Sequence, residues 1–157
     1  MQLKGSCHCG AVKFSLTTHT PQPYMHCYCT ICRKTAGGGG YAINIMGEAG
    51  SLKVRGQAAV SVYRAKLHGK RSPARRHFCS KCGSALWVAD PRWAQWVYPF
   101  ASAIDTPLPK PRVVQHIMTD SAEPWVEIPA RKRDPRFSQY PDEAIIDWHT
   151  KRHLLVP

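Results

Sequence analysis

Seven cysteines, arranged in three short groups, constrain this chain more than any other feature. The groups are the pair Cys7 and Cys9, the triplet Cys27, Cys29 and Cys32, and the pair Cys79 and Cys82. The N-terminus has no apolar stretch of the signal-peptide kind, so we expect a cytoplasmic protein with reduced thiols. Clustered cysteines in a reducing compartment indicate metal binding rather than disulfides, and their odd number agrees with this interpretation.

The two outer pairs predict a closed, structural zinc site. Two cysteines one or two residues apart on a tight turn can both place their sulfurs about 2.3 Å from one zinc ion. A glycine follows each pair, Gly10 and Gly83, and suits the sharp turn of a zinc knuckle. Together the pairs supply four thiolates, from Cys7, Cys9, Cys79 and Cys82. Such a tetrahedral site would clamp the start of the chain to its middle.

The triplet predicts a second, open zinc site. Cys27, Cys29 and Cys32 offer three thiolates without a fourth cysteine, and three protein ligands with a free fourth position are typical of catalytic zinc. The free position would take water or a substrate atom, and a thiol is an attractive substrate because zinc lowers the pKa of a thiol. Two alternatives stay open here. Either His26 or His8 closes the site, or the triplet is a set of redox-active thiols without metal.

The chain is strongly basic. Lysine and arginine number 22 against 10 aspartates and glutamates, which gives a formal net charge of +12. Such a charge attracts anions of several kinds, including nucleic acid and acidic small molecules. No nucleic-acid-binding signature accompanies the basic clusters, so we interpret them as solvated loops and a basic tail. Nucleic acid is therefore the less favoured partner, and no membrane segment is expected.

Short alternating runs between prolines and glycines predict an all-β fold. The predicted strands cover residues 11–16, 41–45, 59–63, 85–88 and 113–118. Two short helical pieces are expected, one from Pro91 to Trp96 and one over residues 142–148. Most of the aromatic residues between Trp87 and Phe100 are expected in the core, with one or two lining a pocket. The segment after Pro129 lacks clear alternation, and we interpret it as a wrapping tail rather than a second domain.

The three metal motifs, in this order, resemble the glutathione-dependent formaldehyde-activating enzyme family, to which centromere protein V also belongs. A later stretch, His116-Ile117 followed by residues 122–126, resembles the closing motif of that family. The resemblance spans nearly all of residues 1–128. The motifs that carry it are Cys7-His8-Cys9-Gly10-Ala11-Val12, then Cys27-x-Cys29-x-x-Cys32-Arg33-Lys34, and then Phe78-Cys79-x-x-Cys82-Gly83-Ser84.

The resemblance implies a β-tent fold of curved antiparallel sheets in a catalytic domain, residues 1–128, with a basic C-terminal extension, residues 129–157. It also implies two zinc ions per chain, one structural and one catalytic, on the cysteine sets already assigned from their spacing. The implied activity is the addition of formaldehyde to glutathione, or cleavage of that adduct, as a carbon–sulfur lyase. The alternative is a non-enzymatic, zinc-stabilised module that binds nucleic acid or protein.

Overall fold

A computed structural model describes residues 1–157 and has a mostly β architecture with two short helices. The helices are α1, Thr30–Ala36, and α2, Ile145–Lys151. The thirteen strands are β1 Gln2–Ser6, β2 Lys13–Thr17, β3 Met25–Cys27, β4 Ala42–Ile43, β5 Gly47–Glu48, β6 Lys53–Arg55, β7 Val60–Tyr63, β8 Lys66–Leu67, β9 Lys70–Arg71, β10 Arg75–Cys79, β11 Ala85–Ala89, β12 Trp96–Pro99 and β13 Gln115–Ile117. Neither helix is long and apolar enough to cross a membrane.

The strands form three sheets and one small ribbon. The sheets have the orders β1-β2-β6, β5-β12-β11-β10-β7 and β13-β3-β4, and β8 pairs with β9. All strand pairs are antiparallel except β13 with β3, which is parallel. The all-β prediction is confirmed, and each predicted strand region contains a strand.

The helix predictions are only partly correct. The piece at 142–148 is present as α2, although it begins later, at Ile145. The helix predicted from Pro91 to Trp96 is wrong. The segment contains a single 3₁₀ turn, Pro91–Trp93, and Trp96 begins β12. That strand pairs with β11 on one side and β5 on the other, and its Val97 is buried. Pairing with two neighbours thus outweighed the local helical signal.

The main core lies between the first two sheets. Phe14 of β2 meets Trp87 of β11 edge to face, with ring centroids 5.3 Å apart. Leu3 of β1 and Val97 of β12 are also buried in this core. Two cysteines belong to it as well, Cys7 and Cys79. A second, smaller core surrounds Cys27 and Cys32, so each cysteine set borders its own apolar cluster.

The C-terminal segment packs against the rest of the chain through α2. Trp148 is 2% exposed and stacks on Tyr24, with ring centroids 3.7 Å apart and planes 10° from parallel. The guanidinium of Arg152 lies 4.6 Å from the centre of the Trp148 ring, within cation–π distance. The division at residue 128 stays a prediction, since these contacts do not define a domain boundary.

Replacing Trp148 with alanine should destabilise the protein strongly. Loss of a buried tryptophan costs about 3–5 kcal/mol of unfolding free energy through lost contacts and an unfilled cavity. For a chain of this size we expect Tm to fall by roughly 6–20 °C. Thermal denaturation followed by circular dichroism measures the change. Trp125, which is 68% exposed, provides the matched control, and equal effects of Trp148→Ala and Trp125→Ala would contradict a packing role for α2.

Candidate metal sites

The two outer cysteine pairs meet at one end of the main core. Cys7 and Cys9 lie in the loop of the β1–β2 hairpin, whereas Cys79 ends β10 and Cys82 lies in the loop before β11. The four sulfurs lie within 4.8 Å of one another. The Sγ atom of Cys9 is 3.6 Å from that of Cys7 and 3.8 Å from that of Cys79. The structure thus brings together all four residues of the predicted closed site.

The glycine after each pair has the backbone conformation that the knuckle requires. Gly10 has φ of +74° and Gly83 has φ of +75°, a left-handed region that disfavours other residues. A Cβ atom added at either glycine would contact nothing within 4 Å. Conformation rather than space therefore favours glycine at both turns.

The four-sulfur set fits a tetrahedral metal ion. Four sulfurs at about 2.3 Å from a central zinc are about 3.8 Å apart from each other, and the two sulfur–sulfur distances quoted above lie close to that value. Cys7 and Cys79 are buried, whereas Cys9 and Cys82 are exposed. Four thiol groups crowded in this way would repel one another when ionised, so a divalent cation at their centre is the natural counter-charge.

The triplet is assembled by the turn from β3 into α1. Cys27 is the last residue of β3, and Cys29 is the N-cap of α1. The Sγ atom of Cys29 accepts a hydrogen bond from the backbone N–H of Cys32 at 3.3 Å. One helical turn therefore places Cys32 beside Cys29, and the three sulfurs lie within 4.8 Å of one another. The sequence patterns did not predict α1, for which the local signals are two basic residues in the last turn and Gly37 at the C-cap.

The electrostatics of the triplet favour a bound cation. Hydrogen bonds from the thiols of Cys27 and Cys32 lower the pKa of Cys29 to about 2. Hydrogen bonding to Cys29 and Cys32, together with burial, raises the pKa of Cys27 far above its ordinary value. The Cys29 thiol thus ionises readily, whereas the Cys27 thiol resists ionisation, because a second negative charge at such short range is unfavourable. A divalent cation would remove that cost, so the donor set fits a metal ion.

No histidine or carboxylate joins the triplet. The group of potential ligands consists of the three cysteines alone. His26 stacks on Tyr41, with ring centroids 4.2 Å apart, and His8 lies in the hairpin loop of the other cluster. His77, another candidate partner for a thiolate, stacks on Trp87 at 5.0 Å. The arrangement therefore matches three protein ligands without a fourth.

Arg76 is a site residue that the sequence patterns missed. It lies on β10, and its Nη2 atom donates to the Sγ atom of Cys32 at 3.6 Å. Its Nη1 atom is buried without a hydrogen-bond partner. In the sequence it belongs to a basic cluster that we interpreted as solvated. The one sequence feature that distinguishes Arg76 from other basic residues is its position three residues before Cys79, on the same strand.

A cavity of about 390 Å³ is lined by Arg76, which contacts Cys32, although none of the three cysteines of the triplet lines it. Thr35 of α1 lines it on one side, and Phe100, which belongs to the apolar cluster around Cys27, lines it on another. Phe100 is thus the pocket-lining residue of the aromatic stretch. Arg33 does not contribute a free charge, because it forms an ion pair with Glu123.

Comparison with known proteins places the chain in a family. Residues 2–121 match the model of the family described as glutathione-dependent formaldehyde-activating enzyme. A Halomonas elongata protein is 55% identical over 154 residues, which cover 98% of each chain, and bears that same name. This chain belongs to the glutathione-dependent formaldehyde-activating enzyme family. The resemblance read from the three cysteine motifs is thereby confirmed.

A solved structure supports the fold. The crystal structure of a Rhodobacter sphaeroides protein matches with a TM-score of 0.52 and 25% identity, over 68% of this chain and 91% of that chain. Like the family model, which ends at residue 121, this match leaves part of the chain uncovered.

Proposed function

We infer that this protein is a zinc-dependent carbon–sulfur lyase that joins formaldehyde to the thiol of glutathione, or of a similar small thiol, and cleaves the adduct in reverse. The observations that carry this proposal are the set of three sulfurs without a fourth protein ligand, and the cavity lined by Arg76, which contacts Cys32. Membership in the glutathione-dependent formaldehyde-activating enzyme family supports both reactants.

In this proposal the chain holds two zinc ions. Cys7, Cys9, Cys79 and Cys82 hold the structural ion, and Cys27, Cys29 and Cys32 hold the catalytic ion. When bound at the triplet, zinc would supply Lewis acidity that lowers the pKa of a substrate thiol, so that the thiol binds as a thiolate at neutral pH. The surrounding side chains then have to position that thiol and balance its charge.

Arg76 provides the charge balance. Three thiolates with one divalent cation carry a net charge of −1, and a substrate thiolate makes the site more negative still. The guanidinium already contacts Cys32, and its buried Nη1 atom has no partner. Leaving such a donor unsatisfied is unfavourable, so an anionic group of the substrate gains by binding there. An acidic thiol such as glutathione therefore suits this cavity better than a neutral one.

Metal content is the first test of this function. We expect two zinc ions per chain by elemental analysis of protein purified under reducing conditions without chelator. The same protein should accelerate exchange between glutathione, formaldehyde and their adduct above the uncatalysed rate, as measured by exchange NMR spectroscopy. One zinc ion that cannot be raised to two by adding zinc would contradict the catalytic site. Two zinc ions without accelerated exchange would contradict the choice of reactants.

A further inference from the structure

A second cavity, of about 260 Å³, lies against the sheet of β13, β3 and β4. His26 of β3 and His116 of β13 pair in register, and both line this cavity. The next pair along the two strands is Cys27 with Ile117, and both belong to the apolar cluster around the triplet. Because successive side chains of a strand point to opposite faces of the sheet, the second cavity and the triplet lie on opposite faces.

One side of the second cavity consists of four aromatic rings, those of His26, Tyr28, Tyr41 and His116. The His26 ring stacks on that of Tyr41, with centroids 4.2 Å apart, and meets that of His116 edge to face at 5.4 Å. The Tyr28 centroid lies 5.3 Å from that of Tyr41 and 5.8 Å from that of His116. Aromatic rings pack well against other aromatic rings, either offset-stacked or edge to face. This wall therefore favours a ligand with a flat ring.

The other side of the second cavity includes the start of the C-terminal extension. Arg131 and Asp134 of the extension line it, and so does Glu127, which lies just before the extension. The carboxylate of Asp134 accepts a hydrogen bond from the backbone N–H of Val114 at 2.9 Å, and this bond holds the extension beside β13. The family model ends at residue 121, so this side of the cavity is built from residues beyond the family match.

His116 has a hydrogen-bond donor without a partner. The residue is 2% exposed, and its Nδ1 atom lies 2.8 Å from the hydroxyl of Tyr28. The Tyr28 hydroxyl has no other hydrogen bond, so it donates to Nδ1, since its proton would otherwise be buried unsatisfied. Burial lowers the pKa of His116, and the neutral ring then carries its own proton on Nε2. The Nε2 atom is buried without a partner, which favours a ligand that accepts a hydrogen bond.

The charges that line the second cavity oppose one another. Glu127 is exposed and forms no ion pair. Arg131 is also exposed, and its Nη1 atom lies 4.0 Å from the carboxylate of Asp134. A ligand carboxylate would be repelled by Glu127, and a ligand ammonium by Arg131. An uncharged ligand avoids both repulsions, and the oxygen of an uncharged carbonyl group is a good acceptor for Nε2 of His116.

We propose that the second cavity is a ligand site of its own, which binds a small, flat, uncharged aromatic molecule that carries a carbonyl-type acceptor. The ring of this molecule packs against the aromatic wall, and its acceptor takes the hydrogen bond from Nε2 of His116. The size agrees, since a cavity of about 150 Å³ holds one benzene molecule and the additional volume accommodates a polar substituent. The site does not depend on the proposed lyase function, because none of its lining residues belongs to the triplet.

Three probes with the same ring and different charges test this proposal: benzamide, benzoate and benzylammonium. Each is titrated into isotope-labelled, zinc-loaded protein, and NMR spectroscopy follows the backbone N–H signals of Val114 and His116. We expect benzamide to shift these signals saturably with a Kd of about 1 mM, which agrees with the ligand efficiency of small molecules. Both charged probes should bind at least about fivefold more weakly. The absence of a saturable shift with benzamide overturns the site, and tighter binding of a charged probe overturns the assignment of an uncharged ligand.

The substitution His116→Phe tests the hydrogen bond, because it removes Nε2 and keeps a ring. We expect it to weaken benzamide binding about tenfold, as for the loss of one hydrogen bond, and unchanged binding would overturn the role of His116. Glu127→Gln changes an exposed residue and so preserves the fold if His116→Phe does not. It should strengthen benzoate binding about threefold, whereas its matched control Asp142→Asn, at an exposed acid that does not line the cavity, should not. Equal effects of the two would overturn the charge selectivity.

A variant of the triplet separates this site from the proposed lyase site. Cys29→Ser removes one sulfur of the triplet and should bind benzamide with the wild-type Kd, because Cys29 does not line the second cavity. Loss of benzamide binding in folded Cys29→Ser protein would overturn the independence of the two sites. Wild-type protein that binds benzamide but does not accelerate the exchange of glutathione and formaldehyde supports the ligand site and contradicts only the lyase function.

Discussion

Replacing Cys29 with serine is expected to lower kcat/KM for adduct formation by more than about 100-fold. That figure is the upper end of the loss seen when a group that merely supports a metal ligand is removed, and Cys29 would be a ligand itself. The fold should survive, because Cys29 caps α1 by accepting from the N–H of Cys32, and serine is a favoured N-cap residue. Exchange NMR and thermal denaturation on the same preparation measure both effects.

The matched control for Cys29 is its exposed neighbour Thr30, the first residue of α1. Thr30→Ala should leave turnover and zinc content unchanged. Elemental analysis of Cys29→Ser should give one zinc ion where the wild type has two. A Cys29→Ser protein with wild-type turnover would contradict the catalytic role of the triplet, and an unfolded one would indicate a structural role instead.

Replacing Cys79 with serine is expected to lower the free energy of unfolding by about 4 kcal/mol or more. Single substitutions have effects this large when they remove a metal site or break a buried network. Tm should then fall by roughly 8–16 °C. Cys79 is fully buried in the main core, and its cluster joins the β1–β2 loop to the β10–β11 loop. Without it, only three sulfurs remain to hold these loops together.

The control for Cys79 lies on the same knuckle. Lys81 is exposed between the two cysteines of the pair, and Lys81→Ala should shift Tm by no more than about 2 °C. Differential scanning calorimetry in reducing buffer compares the variants. If Cys79→Ser and Lys81→Ala behave alike, the four-cysteine cluster contributes no structural metal site.

The local part of each site could be predicted from the sequence. Cys7 and Cys9, or Cys79 and Cys82, are so close along the chain that a tight turn alone brings their sulfurs together, and Gly10 and Gly83 mark those turns. The strands were predictable for the same reason, since the alternation of buried and exposed side chains is a property of each segment by itself. The strand that begins at Trp96 could not be predicted in this way, because it depends on the two strands with which it pairs.

The groups around the triplet could not be predicted, because they come from distant parts of the chain. Arg76 reaches Cys32 only through the position of β10 beside α1. Phe137 packs against the apolar cluster around Cys27 and Cys32, although it lies in a tail with no recognisable strand pattern. Neither residue has a neighbour in the sequence that indicates a role.

The sequence by itself identified the two groups of cysteines that could bind metal, the all-β class and the family, since these depend on residue types at short spacings. The tertiary structure decided that His26 and His8 do not join the triplet, and that Arg76 both contacts Cys32 and lines a cavity. These features depend on the register and packing of segments that are far apart in the chain, and no short-range pattern records how such segments meet.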